Sequence, residues 1–257
     1  NCCYKDIDKI DIRFAFCFPD VYEVGMSHLG SRILYHVLNE RVDTYCERAF
    51  APWPDMEKQM RDNNISLYAL ESKDSLKEFD FLGFTLQYEM SYTNILNMLD
   101  MSGITIRASK RGDDEPIIMA GGPCAYNPEP LYDIVDFFEL GEGEEIMNDV
   151  LDVYKNYKGK KKEFLREISK IRGVYVPSLY EVSYNEDNTI REFKPKYDDV
   201  PKMVRKRFVP NLDEVAFPEK MVVPYVEIVH DRVILETFRG CTNRSEEHTS
   251  ELQSPRL

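Results

Sequence analysis

Short apolar runs alternate with amphipathic stretches over the first 160 residues. "IDIRFAFCFPD" is a near-continuous apolar run that stops at Pro19-Asp20, as a buried strand does on entering a loop. In "SRILYHVLNE" the residues Ile33, Leu34, Val37 and Leu38 fall on one helical face. "TYCERAF" predicts a second strand. "WPDMEKQMRDNN" predicts a helix with Pro54 in its first turn and Asn63-Asn64 at its exit. "SLYAL" and "FDFLGFTLQYE" predict further strands. "SYTNILNMLDMSG" predicts a helix with Ile95, Leu96, Met98 and Leu99 inward and Gly103 as its stop. "PIIMAGGP" and "VDFFELGEGEE" predict strands that run into glycine turns. "EEIMNDVLDVYKNYKGKKK" predicts one helix, acidic in its first turn and basic in its last.

Strands alternating with helices at this spacing predict a doubly wound, mostly parallel α/β sheet. Such sheets bind ligands at the carboxyl ends of their strands. Four turns qualify: 20–30, 85–89, 121–127 and 141–145, which together predict one rim of one sheet. Beyond about residue 160 the pattern changes. "GVYVPSLYEVSYNEDNTIREFKP" alternates like a hairpin around 185–188, and 195–230, with five prolines, reads as a connecting segment. "DRVILETFRGC" then reads as a fresh buried strand whose end stands where a barrel strand presents functional groups.

Composition narrows the classes. The 257 residues are 43% hydrophobic, enough for a real core, but no apolar run is long enough to span a bilayer. No charged-then-apolar segment opens the sequence, and six scattered cysteines suit reduced thiols, so the expected compartment is the cytoplasm. A net charge of −13 gives no strong nucleic-acid signal. The basic clusters at 160–162 and at Lys202 with 205–207 read as solvated loop charge.

Two glycine turns carry candidate chemistry. "GEGEEI" looks like half of a dinucleotide fingerprint, but Glu142, Glu144 and Glu145 would set carboxylates where a pyrophosphate docks. It is either a tight turn with favourable helix-start acids or a turn that touches an uncharged or amide-bearing ligand. "AGGPCAYNPEP" lets the backbone approach a flat ligand closely, or is a structural turn alone. Cys124 reads as an inert small core residue, and His28, His36 and His230 as structural.

Cys241, preceded by "ETFRG", resembles the opening of the Cys-x3-Cys-x2-Cys motif of radical S-adenosylmethionine (SAM) enzymes, whose thiolates hold three irons of a [4Fe–4S] cluster. The segments "FPDVYEVGMSHLGSRILYHVLNER", "FAPWPDME", "GFTLQYEMSYTNILNMLDMSGI", "AGGPCAYNPEPL", "GEGEE" and "VPYVEIVHDRVILETFRGCT" are together similar to radical SAM proteins with an N-terminal cobalamin-binding-type domain. The resemblance implies a Rossmann-like domain over 8–159, a helix, hairpin and connector over 160–230, and the start of a partial TIM-type barrel over 231–243. It also implies that the intact protein cleaves SAM reductively at the cluster to start radical chemistry. Cobalamin would lie on the sheet rim. The implied cofactor-binding residues are Asp20, Tyr22, Gly25, Thr85, Leu86, Gln87, Gly121, Gly122, Gly141, Glu142, Gly143 and Glu144, with Cys241 as a cluster ligand. No catalytic residue is implied in this stretch. The partners implied are small-molecule cofactors with an unknown substrate; no membrane partner and no strong nucleic-acid signal is read from the sequence.

Two departures stand out. Where cobalamin domains carry Asp-x-His-x-x-Gly, this sequence has Asp20 to Gly25 with Tyr22 in the histidine position, and a neutral phenol is a poor cobalt ligand. Any bound cobalamin is therefore expected without a histidine on the metal. After Asn243 the expected cysteines are replaced by "RSEEHTSELQS", which resembles a translated sequencing-library adapter. The stretch 244–257 is accordingly expected to be an artefact, disordered, and the chain a fragment cut inside its metal motif and inactive alone. The alternative is a non-enzymatic flavodoxin-like module that binds a small ligand or cobalamin.

Overall fold

The structure, a computed structural model, describes residues 2–230, 232, 234–237 and 239. Six strands form the main sheet: β1 (Ile12–Phe18), β2 (Thr44–Phe50), β3 (Phe81–Thr85), β4 (Ile117–Gly121), β5 (Phe137–Glu139) and β6 (Val174–Tyr175). Their order is β2-β1-β3-β4-β5-β6. The first five are parallel and β6 runs antiparallel to β5. The apolar runs explain this directly. Parallel strands in such a sheet are covered on both faces, so every residue of β3 and β5 is buried and β1 is buried at all positions but Arg13.

The crossovers carry helices α2 (Leu29–Glu40), α3 (Pro54–Asp62), α4 (Tyr92–Met101) and, after β5, α5 (Gly143–Tyr157), followed by α6 (Lys161–Ile168). A single turn, α1 (Tyr22–Gly25), precedes α2. Right-handed crossovers that reverse direction between β1 and β3 place helices on opposite faces of the sheet. The contacts agree. Arg41 at the end of α2 donates to Asn148 (3.2 Å) and Asp152 (2.6 Å) of α5. Arg61 of α3 donates to Asp100 (2.9 Å) and Asn97 (2.7 Å) of α4. The reversal opens a crevice at the carboxyl ends of β1, β3, β4 and β5.

Buried charge ties the frame together. Arg48 of β2 donates through its backbone N–H (2.8 Å) and Nε (2.7 Å) to the two oxygens of Glu71. Asp136, just before β5, takes Arg111 (2.6 Å) and Lys161 (2.9 Å). Lys161 is therefore a buried partner and not the solvated loop charge that its cluster suggested. Arg207 likewise binds Glu145 (2.6 Å) and Asp149. In both clusters the pairing acid comes from a distant part of the chain.

Other expectations are corrected too. "SLYAL" is no strand; its only pairing is an isolated bridge from Tyr68 to Ser75. The long basic-ended helix breaks at Gly159, whose φ of +75° ends α5 before α6 begins. The hairpin is shorter than its alternation suggests: β7 (Tyr180–Tyr184) and β8 (Ile190–Pro195) pair around Asn185, while β6 joins the main sheet. Phe164, Leu165 and Ile168 of α6 also join the core, so the sheet body continues past residue 159. Of the expected barrel strand, the described residues 234–237 form no strand, and Leu235 is 72% exposed. Cys241 and the tail 244–257 lie outside the described residues. Among the described residues no helix is long and apolar enough to cross a membrane.

Candidate functional site at the carboxyl rim of the sheet

The crevice forms a cleft of about 350 Å³. Its floor is made by strand ends: Phe16 of β1, Gly83 to Thr85 of β3, Met119 and Gly121 of β4, and Glu139 of β5. One wall is the start of α2, with His28, Leu29, Gly30 and Leu34; another is the start of α5, with Gly143, Glu144 and Met147. Glu236 and Arg239, from the segment that follows the connector, stand at the mouth.

Two glycines on the rim of the cleft have backbone that side chains rarely adopt. Gly122 has φ +103°, and a Cβ there would stand 3.0 Å from the Leu86 carbonyl oxygen and 3.1 Å from Gln87 Nε2. Gly141 has φ +119°, and a Cβ there would collide with the Arg207 backbone, whose N–H in turn donates to Leu140 O at 2.9 Å. Both conformations favour glycine, which lets the turn after β4 pack closely on Leu86 and Gln87 and the turn after β5 on the Arg207 backbone.

The polar groups are few and placed. Gln87 Nε2 donates to Thr85 Oγ1 at 2.6 Å. The His28 side chain hydrogen-bonds Gln87, and burial holds its imidazole below the usual histidine range. Arg239 donates to Glu236 at 2.8 Å and to Glu144, with Glu142 at 3.8 Å. Those carboxylates keep its guanidinium firmly charged, Glu236 most of all. Glu139 lies at the end of β5 with 3% of its surface exposed. Burial, and then the nearby charge of Glu144, push its carboxyl up to about 8. The cleft thus joins apolar walls to a small number of convergent polar groups, the usual make-up of a small-molecule site.

Eight of the residues expected from sequence come together here: Thr85, Gln87, Gly121, Gly122, Gly141, Glu142, Gly143 and Glu144. Four do not line it. Leu86 is fully buried; its N–H donates to Gly121 O (2.6 Å) and its carbonyl accepts from Cys124 (3.0 Å), so it locks β3 to the β4 turn. Asp20 Oδ1 accepts the N–H of Val21 at 2.7 Å, bracing the loop after β1. Gly25 borders a separate void of about 10 Å³. Tyr22 accepts the backbone N–H of Tyr225 at 2.8 Å through its hydroxyl and packs edge-on against Phe50, which ties the connector to the sheet. Its phenol is occupied outside the cleft.

His28, Glu139, Glu236 and Arg239 are the residues that the sequence reading left out of this site. His28 had a signal, since it sits in one of the four rim turns. Cys124 is only half-buried, and burial raises its thiol. Among the described residues no group of three or more His, Cys, Asp or Glu can hold a metal ion.

The family described as radical SAM proteins, N-terminal, matches residues 30–177. The chain belongs to that family. The matched span runs from the start of α2 to just past β6, so it contains every strand of the sheet except β1. An uncharacterised protein, MJ0966, from Methanocaldococcus jannaschii is 29% identical over 174 residues, 66% of this chain and 33% of the relative. A solved structure of the cobalamin-dependent S-adenosylmethionine radical enzyme OxsB, with aqua-cobalamin and S-adenosylmethionine bound, superposes with a TM-score of 0.42 at 12% identity. That superposition covers 75% of this chain and 24% of that one. The radical SAM N-terminal chain therefore spans about a third and about a quarter of the lengths of these two proteins.

Proposed function

We propose that this chain is the cofactor-holding N-terminal part of a radical SAM enzyme and that its cleft receives cobalamin. The family match supports the first half. The observation that carries the second is the cleft itself, lined by glycine turns at the switch point of a parallel sheet. Its charged groups disfavour a phosphate-led ligand: Glu142 and Glu144 stand where the start of α5 would otherwise attract an anion.

The residues fit such a ligand. The turns at 121, 122 and 141 line the cleft with backbone, and a buried carboxyl on the floor has an oxygen without a partner. A volume of about 350 Å³ takes one flat group of a corrinoid and not the whole. Bound cobalamin would supply an alkyl-carrying cobalt. The chain's own residues would clear water from the apolar walls and fix the ligand through Thr85, Gln87 and Glu139. Catalysis by the intact protein rests on parts beyond the sheet, with Cys241 as the first cluster ligand. This reading puts the chain in a cytoplasmic, small-molecule enzyme.

The test is retention of cyanocobalamin by the full chain after desalting, with flavin mononucleotide as the anionic competitor. About one cyanocobalamin per chain, undisturbed by the flavin, is the expected result. Retention of the flavin alone would replace this reading with the flavodoxin-like one.

A further inference from the structure

Glu139 is the one carboxyl set into the cleft floor. Its backbone pairs with Val174 of β6, so the strand ladder fixes its position. Gly121 of β4 and Gly143 of α5 leave room around its side chain: a Cβ on Gly143 would stand 3.3 Å from Oε2, and one on Gly121 would stand 4.0 Å from it. Oε1 is buried and has no hydrogen-bond partner. Buried polar atoms in folded proteins nearly always have a partner, so an orphan in a ligand cleft takes one from outside the chain, a water or a ligand group.

The surroundings define what can arrive. Glu144 from α5 and Glu142 before it face the same space, as do His28 from the start of α2 and Glu236 with Arg239 from the segment at the mouth. β4 and β6 present only Gly121 and Val174 beside the carboxyl, and neither is charged. Burial holds His28 below the usual histidine range. Arg239 is taken up by Glu144 and Glu236. Among the described residues the site therefore offers an anion no free cation.

We propose that Glu139 is a specificity-determining residue of this cleft, whose unpartnered oxygen hydrogen-bonds a carboxamide of an uncharged ligand face. The inference rests on the cobalamin reading above and names the contact that selects for it; the corrin rim carries several primary carboxamides. A protonated carboxyl both donates and accepts, which matches an amide's C=O and N–H. Ionised, it only accepts and adds a charge beside Glu144. The raised position of this group, about 8, places the change within reach of experiment.

Two measurements on the full chain test this. The first needs no ligand: denaturant unfolding of wild type and Glu139→Gln is compared across pH. Because the folded carboxyl titrates near 8 against an ordinary 4.5, wild type loses stability relative to Glu139→Gln as pH rises between those values, and the difference is level above them. A pH-independent difference overturns the inference.

The second is equilibrium binding of cyanocobalamin, whose cobalt carries no titrating water. Wild-type affinity should fall up to about tenfold per pH unit above about 8, while Glu139→Gln keeps its neutral-pH affinity and shows no fall. At neutral pH Glu139→Leu should bind about tenfold more weakly than wild type, the loss of one buried hydrogen bond, and its affinity should not change with pH. Identical pH profiles for wild type and Glu139→Gln overturn the inference and leave the proposed function standing. No cyanocobalamin bound by wild type at any pH, or flavin mononucleotide bound in its place, overturns both.

Discussion

His28 caps the helix that follows it: its Nδ1 accepts the backbone N–H of Ser31 at 3.1 Å. That bond makes Nδ1 the acceptor, so the neutral imidazole carries its ring proton on Nε2. The one lone pair of the ring is thus engaged, although the ring lines the cleft. With Tyr22 tied to Tyr225 outside it, no imidazole lone pair is free to reach a cobalt in the cleft. Cob(II)alamin bound to the chain should give an electron paramagnetic resonance spectrum without splitting from a protein histidine nitrogen. Such a splitting, lost in His28→Asn, would overturn this reading of the site.

The Arg48–Glu71 pair should dominate the stability of the β2 edge. Glu71 takes both the backbone N–H and Nε of Arg48, in a setting where either charge alone is stranded. Removing one member of a buried pair costs about 3–5 kcal/mol, whereas replacing both members with apolar residues is often nearly neutral. Glu71→Ala should therefore lower the unfolding free energy by about that amount, and Arg48→Met combined with Glu71→Leu by much less. Denaturant titration of the three proteins decides it; equal losses for the single and double variants would count against a stranded-charge cost.

Gly141→Ala should destabilise the rim turn and separate the connector from it. The φ of +119° disfavours any side chain there, and the new methyl would meet the Arg207 backbone. The cost should be on the order of 1–3 kcal/mol. Because Arg207 N donates to Leu140 O and Arg207 O accepts from Glu142 N, amide hydrogen exchange at Arg207 and Glu142 should rise first. Unchanged protection at both positions would show that the contact is not needed.

Reconstituted anaerobically with iron and sulfide, this chain should show no cluster absorbance and, with SAM and reductant, no 5′-deoxyadenosine. A cluster of this type takes three protein thiolates in a closed geometry. Cys17 and Cys46 are fully buried in β1 and β2, and the described residues contain no metal-competent group. 5′-deoxyadenosine above background from this chain would contradict the assignment of the cluster to a fuller Cys-x3-Cys-x2-Cys motif.

Much of this architecture is legible from the hydrophobic pattern. The strands β1, β3, β4 and β5 lie in nearly all-apolar runs, and each of the four rim turns follows one of them, so the rim can be read before any contact is known. What is not legible depends on partners far apart in sequence. Lys161 reads as surface charge until Asp136 is placed beside it. Leu86 looks like part of the rim motif, but strand alternation turns it inward while Thr85 and Gln87 line the cleft. Glu139 is a single acid in "DFFELGEGEE" among three more obvious glutamates, and only the sheet register sets it on the cleft floor. Gly159 is the one signal in its stretch that was open to a better reading, since a glycine between lysines marks the stop of α5.

The claim that the carboxyl-rim cleft is the cofactor site is tested most directly by methyl resonances of the chain labelled at methionine. Met119 and Met147 line the cleft, whereas Met56 on α3 and Met203 in the connector lie elsewhere. On titration with cyanocobalamin, the signals of Met119 and Met147 should shift in parallel with binding, and those of Met56 and Met203 should stay. Binding that moves Met203 or Met56 and leaves Met119 and Met147 unchanged would contradict the account.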